Sequence, residues 1–147
     1  MVILLVEDNE DDVVLFRMAF KKANVPARLQ IVSDGEEAVA YLQCRGHYAN
    51  RDVFPPPDFI LSDLNMPRRN GFELLEWIRN NEVFKDMVVH IFSASGREED
   101  VERVYALRAN TYMLKPSGME DLVALIHSLV TLHKYICRVK QGVPACG

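Results

Sequence analysis

Two hydrophobic periods alternate along the chain. Val2 to Val6 is a short unbroken apolar run, the pattern of a strand buried on both faces of a sheet. Leu15, Phe16, Ala19, Phe20 and Ala23 then recur at helical spacing. Asp11 or Asp12 is placed to cap that helix, and Asn24 to Pro26 ends it. Leu29 to Val32 reads as a second strand. Ser33-Asp34-Gly35 is a turn and cap before a helix carrying Ala38, Val39 and Leu42. An irregular stretch comes next, whose prolines at 55 to 57 forbid a helix. Phe59 to Leu61 is a third strand ending at Ser62-Asp63, and a loop of Asn65, Met66, Pro67 and Asn70-Gly71 leads to a helix over Phe72 to Ile78. Met87 to Phe92 is the fourth strand, ending in Ser93-Ala94-Ser95-Gly96. Arg97 to Ala109 reads as a charge-rich helix with Val101, Val104 and Leu107 or Ala106 facing in. Thr111 to Leu114 is a short fifth strand, broken by Lys115-Pro116, and the last helix runs from Met119.

Fivefold β-α alternation predicts an α/β fold, a doubly wound parallel sheet with helices on both faces and right-handed crossovers. Such sheets bind ligands at the carboxyl ends of their strands. Reading only those positions gives Glu7 and Asp8 after the first strand, Asp63 after the third, Ser93 after the fourth and Lys115 after the fifth. Three clustered carboxylates repel one another, and a hard cation with oxygen ligands relieves them. Mg²⁺ suits such a site because it keeps waters that a phosphoryl group can replace. A carboxylate can also attack phosphorus, with lysine and metal neutralising the transferring oxygens. Glu10, Asp11 and Asp12 are assigned to the helix start, where cap and dipole accommodate them.

Composition narrows the class. At 147 residues the chain is one domain of ordinary size, 49% apolar and 26% charged, as folded globular chains are. A net charge of −4 argues against general nucleic-acid binding. No apolar run is long enough to span a membrane, and no basic leader comes after Met1, so a cytoplasmic location is expected. Cys44, Cys137 and Cys146 lack metal-site spacing and are expected as free thiols. His133 and Cys137 lie four apart, but no further metal ligand converges on them.

The stretches VEDNEDD, SDLNMP, IFSAS and LKP, in that order at successive strand ends, resemble the receiver domain of two-component response regulators. The resemblance covers roughly Val2 to Leu132. The segment before PPPD and the run DLNMPRRNGFELLEWIR resemble stand-alone regulators paired with bacterial phytochromes. The resemblance implies a flavodoxin-like (βα)5 fold with strand order 2-1-3-4-5, a receiver domain over 1–133 and a tail over 134–147. It implies Asp63 as phosphoacceptor, Glu7 and Asp8 as the acidic pair holding Mg²⁺, and Asn65 as giving the metal a backbone carbonyl. Ser93 matches the switch hydroxyl, Ala94 the small residue beside it, Lys115 the lysine of the site and Tyr112 the aromatic that rotates with the switch. The Lys115–Pro116 bond is implied to be cis. The implied partners are a sensor histidine kinase or phosphotransfer protein and a downstream protein, reached by contact or phosphorelay. No room for a DNA-binding output domain is seen after Leu132.

Other features have plainer readings. Arg68 and Arg69 are expected as solvated loop arginines, and His90 as a packing residue. On the last helix, Met119, Leu122, Val123, Ile126 and Val130 make a core face, and Leu125, Leu129, Leu132 and Ile136 an adjacent stripe. The combined face is wider than the ~100° stripe of a one-sided helix, so either the tail VKQGVPACG folds over the excess or a partner covers it, and a homodimer through the second stripe is the favoured expectation. Three other functions compete. A Mg²⁺-dependent phosphatase forming an aspartyl phosphate wants an acid two residues after its nucleophile, where Asn65 stands. A flavodoxin-like cofactor binder wants a Gly/Ser/Thr-rich first loop, which is acidic here. A phosphorylation-independent scaffold of the same fold would not need every site residue.

Overall fold

The computed structural model describes residues 1–136. Five parallel strands, β1 (Val2–Val6), β2 (Arg28–Val32), β3 (Phe59–Ser62), β4 (Val88–Ser93) and β5 (Thr111–Leu114), lie in the order β2-β1-β3-β4-β5. Five helices connect and extend them: α1 (Glu10–Ala23), α2 (Gly35–Leu42), α3 (Gly71–Asn80), α4 (Glu98–Ala106) and α5 (Met119–Tyr135). This is the doubly wound flavodoxin-like arrangement and strand order expected.

The side-chain alternation of the strands builds two cores. Leu4, Val6, Ile60, Val89 and Ile91 face α2, α3 and α4, packing with Leu74, Leu75, Ile78 and Val104. Ile3, Leu5, Phe59, Leu61 and Phe92 face the other way, against Phe16 and Ala19 of α1 and Leu122, Ile126 and Val130 of α5. The inner strand β1 therefore needs no polar face, which is why it reads as an unbroken apolar run.

Several local features differ from expectation. Asn9, not Asp11 or Asp12, caps α1, its side chain accepting from the Asp12 amide at 3.1 Å. The Asp12 side chain is thereby available elsewhere. Helix α4 stops at Ala106, and Arg108 just beyond it takes a left-handed φ of 64°. The Lys115–Pro116 bond is trans rather than cis; trans is the intrinsically favoured isomer by about 0.5–1 kcal/mol. Cys44 is disulfide-bonded, against the free thiol expected there, and Cys137 and Cys146 lie outside the described residues. Leu129 is buried with α1 in the second core rather than offered to a partner. Helix α1 thus covers part of the wide apolar face of α5.

His90 is buried, as a packing residue should be, but it is also paired. Its Nδ1 meets Thr111 Oγ1 at 2.7 Å and its Nε2 meets His133 Nε2 at 3.0 Å. The His133 ring stacks on Phe59, centroids 3.8 Å apart. The segment between α2 and β3 is also built. It carries a short 3-10 helix, Gly46–Ala49, and Arg51 donates to the Tyr41 and Leu42 carbonyls at the end of α2, at 3.1 and 2.9 Å.

Candidate functional site: an acidic pocket at the strand ends

Parallel pairing sets the site. Val6 is in register with Ser62, and the Asp63 amide donates to the Val6 carbonyl at 3.0 Å, so Glu7, Asp8 and Asp63 leave adjacent strands at one level. Glu7, Asp8 and Asp63 each offer a carboxylate oxygen within 4.8 Å of the others. Glu7 and Asp63 are buried and Asp8 is exposed.

Lys115 reaches into this cluster from the end of β5. Its Nζ lies 2.6 Å from Glu7 Oε2, 2.8 Å from Asp12 Oδ2 and 3.4 Å from Asp63 Oδ2. Its backbone amide donates to the Ser93 carbonyl at 2.9 Å, which ties the end of β5 to the end of β4. Burial raises the Glu7 carboxyl above its ordinary value; the Lys115 hydrogen bond opposes this and the Asp63 charge adds to it. Burial alone would lower Lys115, but its hydrogen bonds to Asp12 and Glu7 carry it above the ordinary lysine value. The lysine is therefore a fixed positive charge among several carboxylates.

The Asp63 side chain is held in one orientation. Asp63 Oδ1 accepts from the Leu64 amide at 2.8 Å, leaving Oδ2 towards Lys115. Gly71 packs directly behind it, where an added Cβ would collide with the Asp63 carbonyl oxygen and lie 2.8 Å from Leu64 Cα. No side chain fits there. Ser93 is buried, its Oγ accepting from the Ser95 amide at 3.2 Å, while Ala94 is exposed. The half-buried Tyr112 donates its hydroxyl to the Ser95 carbonyl, so it touches the loop that follows Ser93. Asn65 is exposed in the bend two residues after Asp63.

The structure thus brings Glu7, Asp8, Asp63 and Lys115 together, with Ser93 and Tyr112 joined through the β4–α4 loop. Sequence reasoning missed Asp12, assigned as a helix cap. Asn9 was the signal, since asparagine is at least as good a cap and frees the aspartate three residues on. Arg68 is an exposed loop arginine, as expected, but both arginines are also paired: Arg68 Nε donates to Asp34 Oδ2 at 2.7 Å and Arg69 Nε to Glu36 Oε1 at 2.8 Å. Beside the carboxylates an open cleft of about 450 Å³ is lined in part by Asp8, Val13, Val14, Arg17 and Ile31.

A flavodoxin-like sheet with three carboxylates and a lysine at its carboxyl edge defines a receiver-type regulator. Residues 3–127 match the response regulator receiver domain, and the chain belongs to that family. It is 37% identical over 128 residues to the response regulator Rcp1 of Synechocystis, spanning 87% of this chain and 85% of that one. Solved structures resemble it closely. Response regulator RPA3017 in red light signaling of R. palustris has a TM-score of 0.83 at 32% identity, covering 95% of this chain and 96% of that one. The phosphorylated cyanobacterial phytochrome response regulator RcpA has a TM-score of 0.81 at 34% identity, covering 93% and 96%. A Mn²⁺-bound form of Rcp1 also superposes, with a TM-score of 0.78 at 33% identity and coverage of 95% and 98%. Among the described residues no helix is long and apolar enough to cross a membrane.

Proposed function

We propose that the protein accepts a phosphoryl group on Asp63 from a phosphohistidine of a sensor kinase or phosphotransfer protein. An Asp63 carboxylate oxygen attacks phosphorus, the P–N bond breaks, and the electron pair leaves with the imidazole, which takes up a proton. The observation that carries this reading is the convergence of Glu7, Asp8 and Asp63 with Lys115 Nζ 3.4 Å from Asp63. The donor set is all hard oxygen, and burial together with the Asp63 charge raises the Glu7 carboxyl even with Lys115 beside it, so a further cation at the cluster would favour its ionised form; the residues fit Mg²⁺. Glu7, Asp8, Asp63 and the Asn65 carbonyl would hold it, and it would supply charge neutralisation for the transferring oxygens. Lys115 supplies a second positive charge, Ser93 a hydroxyl for a phosphoryl oxygen, and exposed Ala94 leaves room for that group.

Once Asp63 carries the phosphoryl group, Ser93 and Tyr112 act as the switch, a role supported by their shared contact with the β4–α4 loop. Exposed Val14, Leu15 and Met18 on α1, beside the acidic cleft, suit a protein donor. The red-light and phytochrome relatives favour a phytochrome-linked histidine kinase in the cytoplasm. The receiver unit is read as 1–133 with a tail over 134–147. Output runs through protein contact or phosphorelay rather than substrate turnover, because Asn65 cannot serve as the acid that a phosphatase needs. A homodimer through α5 would use exposed Leu132 with half-buried Leu125 and Ile136, while Leu129 supports the core.

Incubation with Mg²⁺ and acetyl phosphate, then mass mapping, tests the central step. One added phosphoryl group, absent in Asp63→Ala, is expected. Label that persists in Asp63→Ala sinks the reading.

A further inference from the structure

We propose that Arg68 is a positioning residue for the loop that presents Asn65, and that the segment between α2 and β3 acts on it through Glu37. The inference rests on the proposed function, in which the Asn65 carbonyl faces a metal ion.

The loop from Asp63 to Asn70 is closed at its base, where the Gly71 amide donates to the Leu64 carbonyl at 2.9 Å. Its outer part is held by the start of α2. The Gly35 amide donates to the Arg69 carbonyl at 2.9 Å, and a Cβ at Gly35 would collide with that oxygen. Arg68 adds two donors, Nε and Nη2, to one oxygen of Asp34. Asp34 is a buried carboxylate that also caps α2, with its other oxygen accepting from the Glu37 amide at 2.9 Å. Arg68 itself has a φ of 62°, a left-handed conformation that persists in a non-glycine residue only when its surroundings impose it. The Asp34 bond to its side chain and the Gly35 bond to the next carbonyl are the contacts that hold this turn.

A second carboxylate extends the clamp. Glu37 Oε1 lies 3.7 Å from Arg68 Nη2, and Glu37 Oε2 accepts from the Tyr48 hydroxyl at 2.5 Å. Tyr48 belongs to the 3-10 helix of the α2–β3 segment and packs against Tyr41 and Phe54. Tyr48, Glu37, Arg68 and Asp34 therefore form one polar run from that segment to the loop three residues beyond Asn65. This gives the segment a role that its composition did not suggest.

Electrostatics and positioning predict opposite outcomes. Arg68 is a cation in a loop serving a cation site, so neutralising it as a bystander would tighten metal binding. Loss of a clamp would loosen it, and partners behind metal ligands typically matter by 10–100-fold in affinity. The test measures Mn²⁺ binding by paramagnetic resonance, with Mg²⁺ as competitor, in the unphosphorylated full chain. Arg68→Gln is expected to weaken binding roughly tenfold. Arg68→Lys, which keeps charge but lacks the fork, should fall between Gln and wild type. Tyr48→Phe should give a smaller loss and carries the test if Arg68→Gln fails to fold. Equal or tighter binding by a folded Arg68→Gln, or by Tyr48→Phe in its place, overturns the clamp while leaving the metal site standing. No Mn²⁺ binding by the wild type removes the metal reading and the clamp together.

Discussion

Lys115 sits among Glu7, Asp12 and Asp63, closest to Glu7 and furthest from Asp63. A bond to Asp63 alone would leave the other acids unbalanced. As placed, the ammonium offsets part of the negative charge of the pocket. Lys115→Ala should slow phosphorylation from acetyl phosphate by roughly 10²-fold, as loss of a transition-state donor does. Asp12→Asn removes a partner but no proposed reacting group, so it should alter that rate much less; a stopped-flow comparison of the two variants checks this. Gly71→Ala is expected to perturb the acceptor, because its methyl would collide with Asp63 backbone rather than with a movable side chain. The check is a lowered melting temperature together with weakened Mg²⁺ binding. At this scale the pocket was largely legible: Glu7, Asp8, Asp63 and Lys115 are strand-end residues, and a parallel sheet delivers such residues to one edge. Asp12 and Arg68 were not, because the choice of cap residue decides the first and a contact across 34 residues decides the second. The Lys115–Pro116 bond follows the intrinsic trans preference of an X–Pro bond rather than the cis form the resemblance implied.

Elements depend on a few connecting groups. Helix α1 begins at an asparagine whose side chain satisfies one otherwise unpaired amide, so Asn9→Ala should cost about 1 kcal/mol in denaturant unfolding. The join between β4 and α5 is polar within an apolar layer. Burial pushes the His90 imidazole down from 6.5 to about 4, so the folded chain keeps it neutral where the unfolded chain protonates it. Between those values the unfolded state binds more protons, and stability falls as pH is lowered from 6.5 towards 4. The effect is on the order of 3 kcal/mol if fully expressed. Unfolding free energies at pH 7.5 and 4.5 should diverge less in His90→Leu than in the wild type. Equal divergence would assign the acid sensitivity to other groups. Sequence periodicity located every α-helix and strand among the described residues, but it gave α5 too wide a free face. Amphipathic width alone cannot tell a neighbouring helix from a second molecule, and α1 takes up Leu129.

Across the whole molecule, two cores pin a sheet whose carboxyl edge carries the candidate chemistry and whose connecting loops link it to the surface. The site is prearranged: Asp63 is oriented by the Leu64 amide, Lys115 is held by carboxylates, and Tyr112 already contacts the loop of Ser93. In the proposed switch, movements there would reach α4 and β5, where Tyr105 and Leu114 are exposed. If α5 mediates self-association, Leu132→Glu should lower the apparent mass in sedimentation without changing phosphorylation. The proposed mechanism is tested most directly by the phosphorylation of Asp63 itself. Intact mass and peptide mapping after exposure to acetyl phosphate should find one Mg²⁺-dependent phosphoryl group on Asp63, lost on chelation and in Asp63→Ala. A modification independent of Mg²⁺, or one on any other residue, would contradict it.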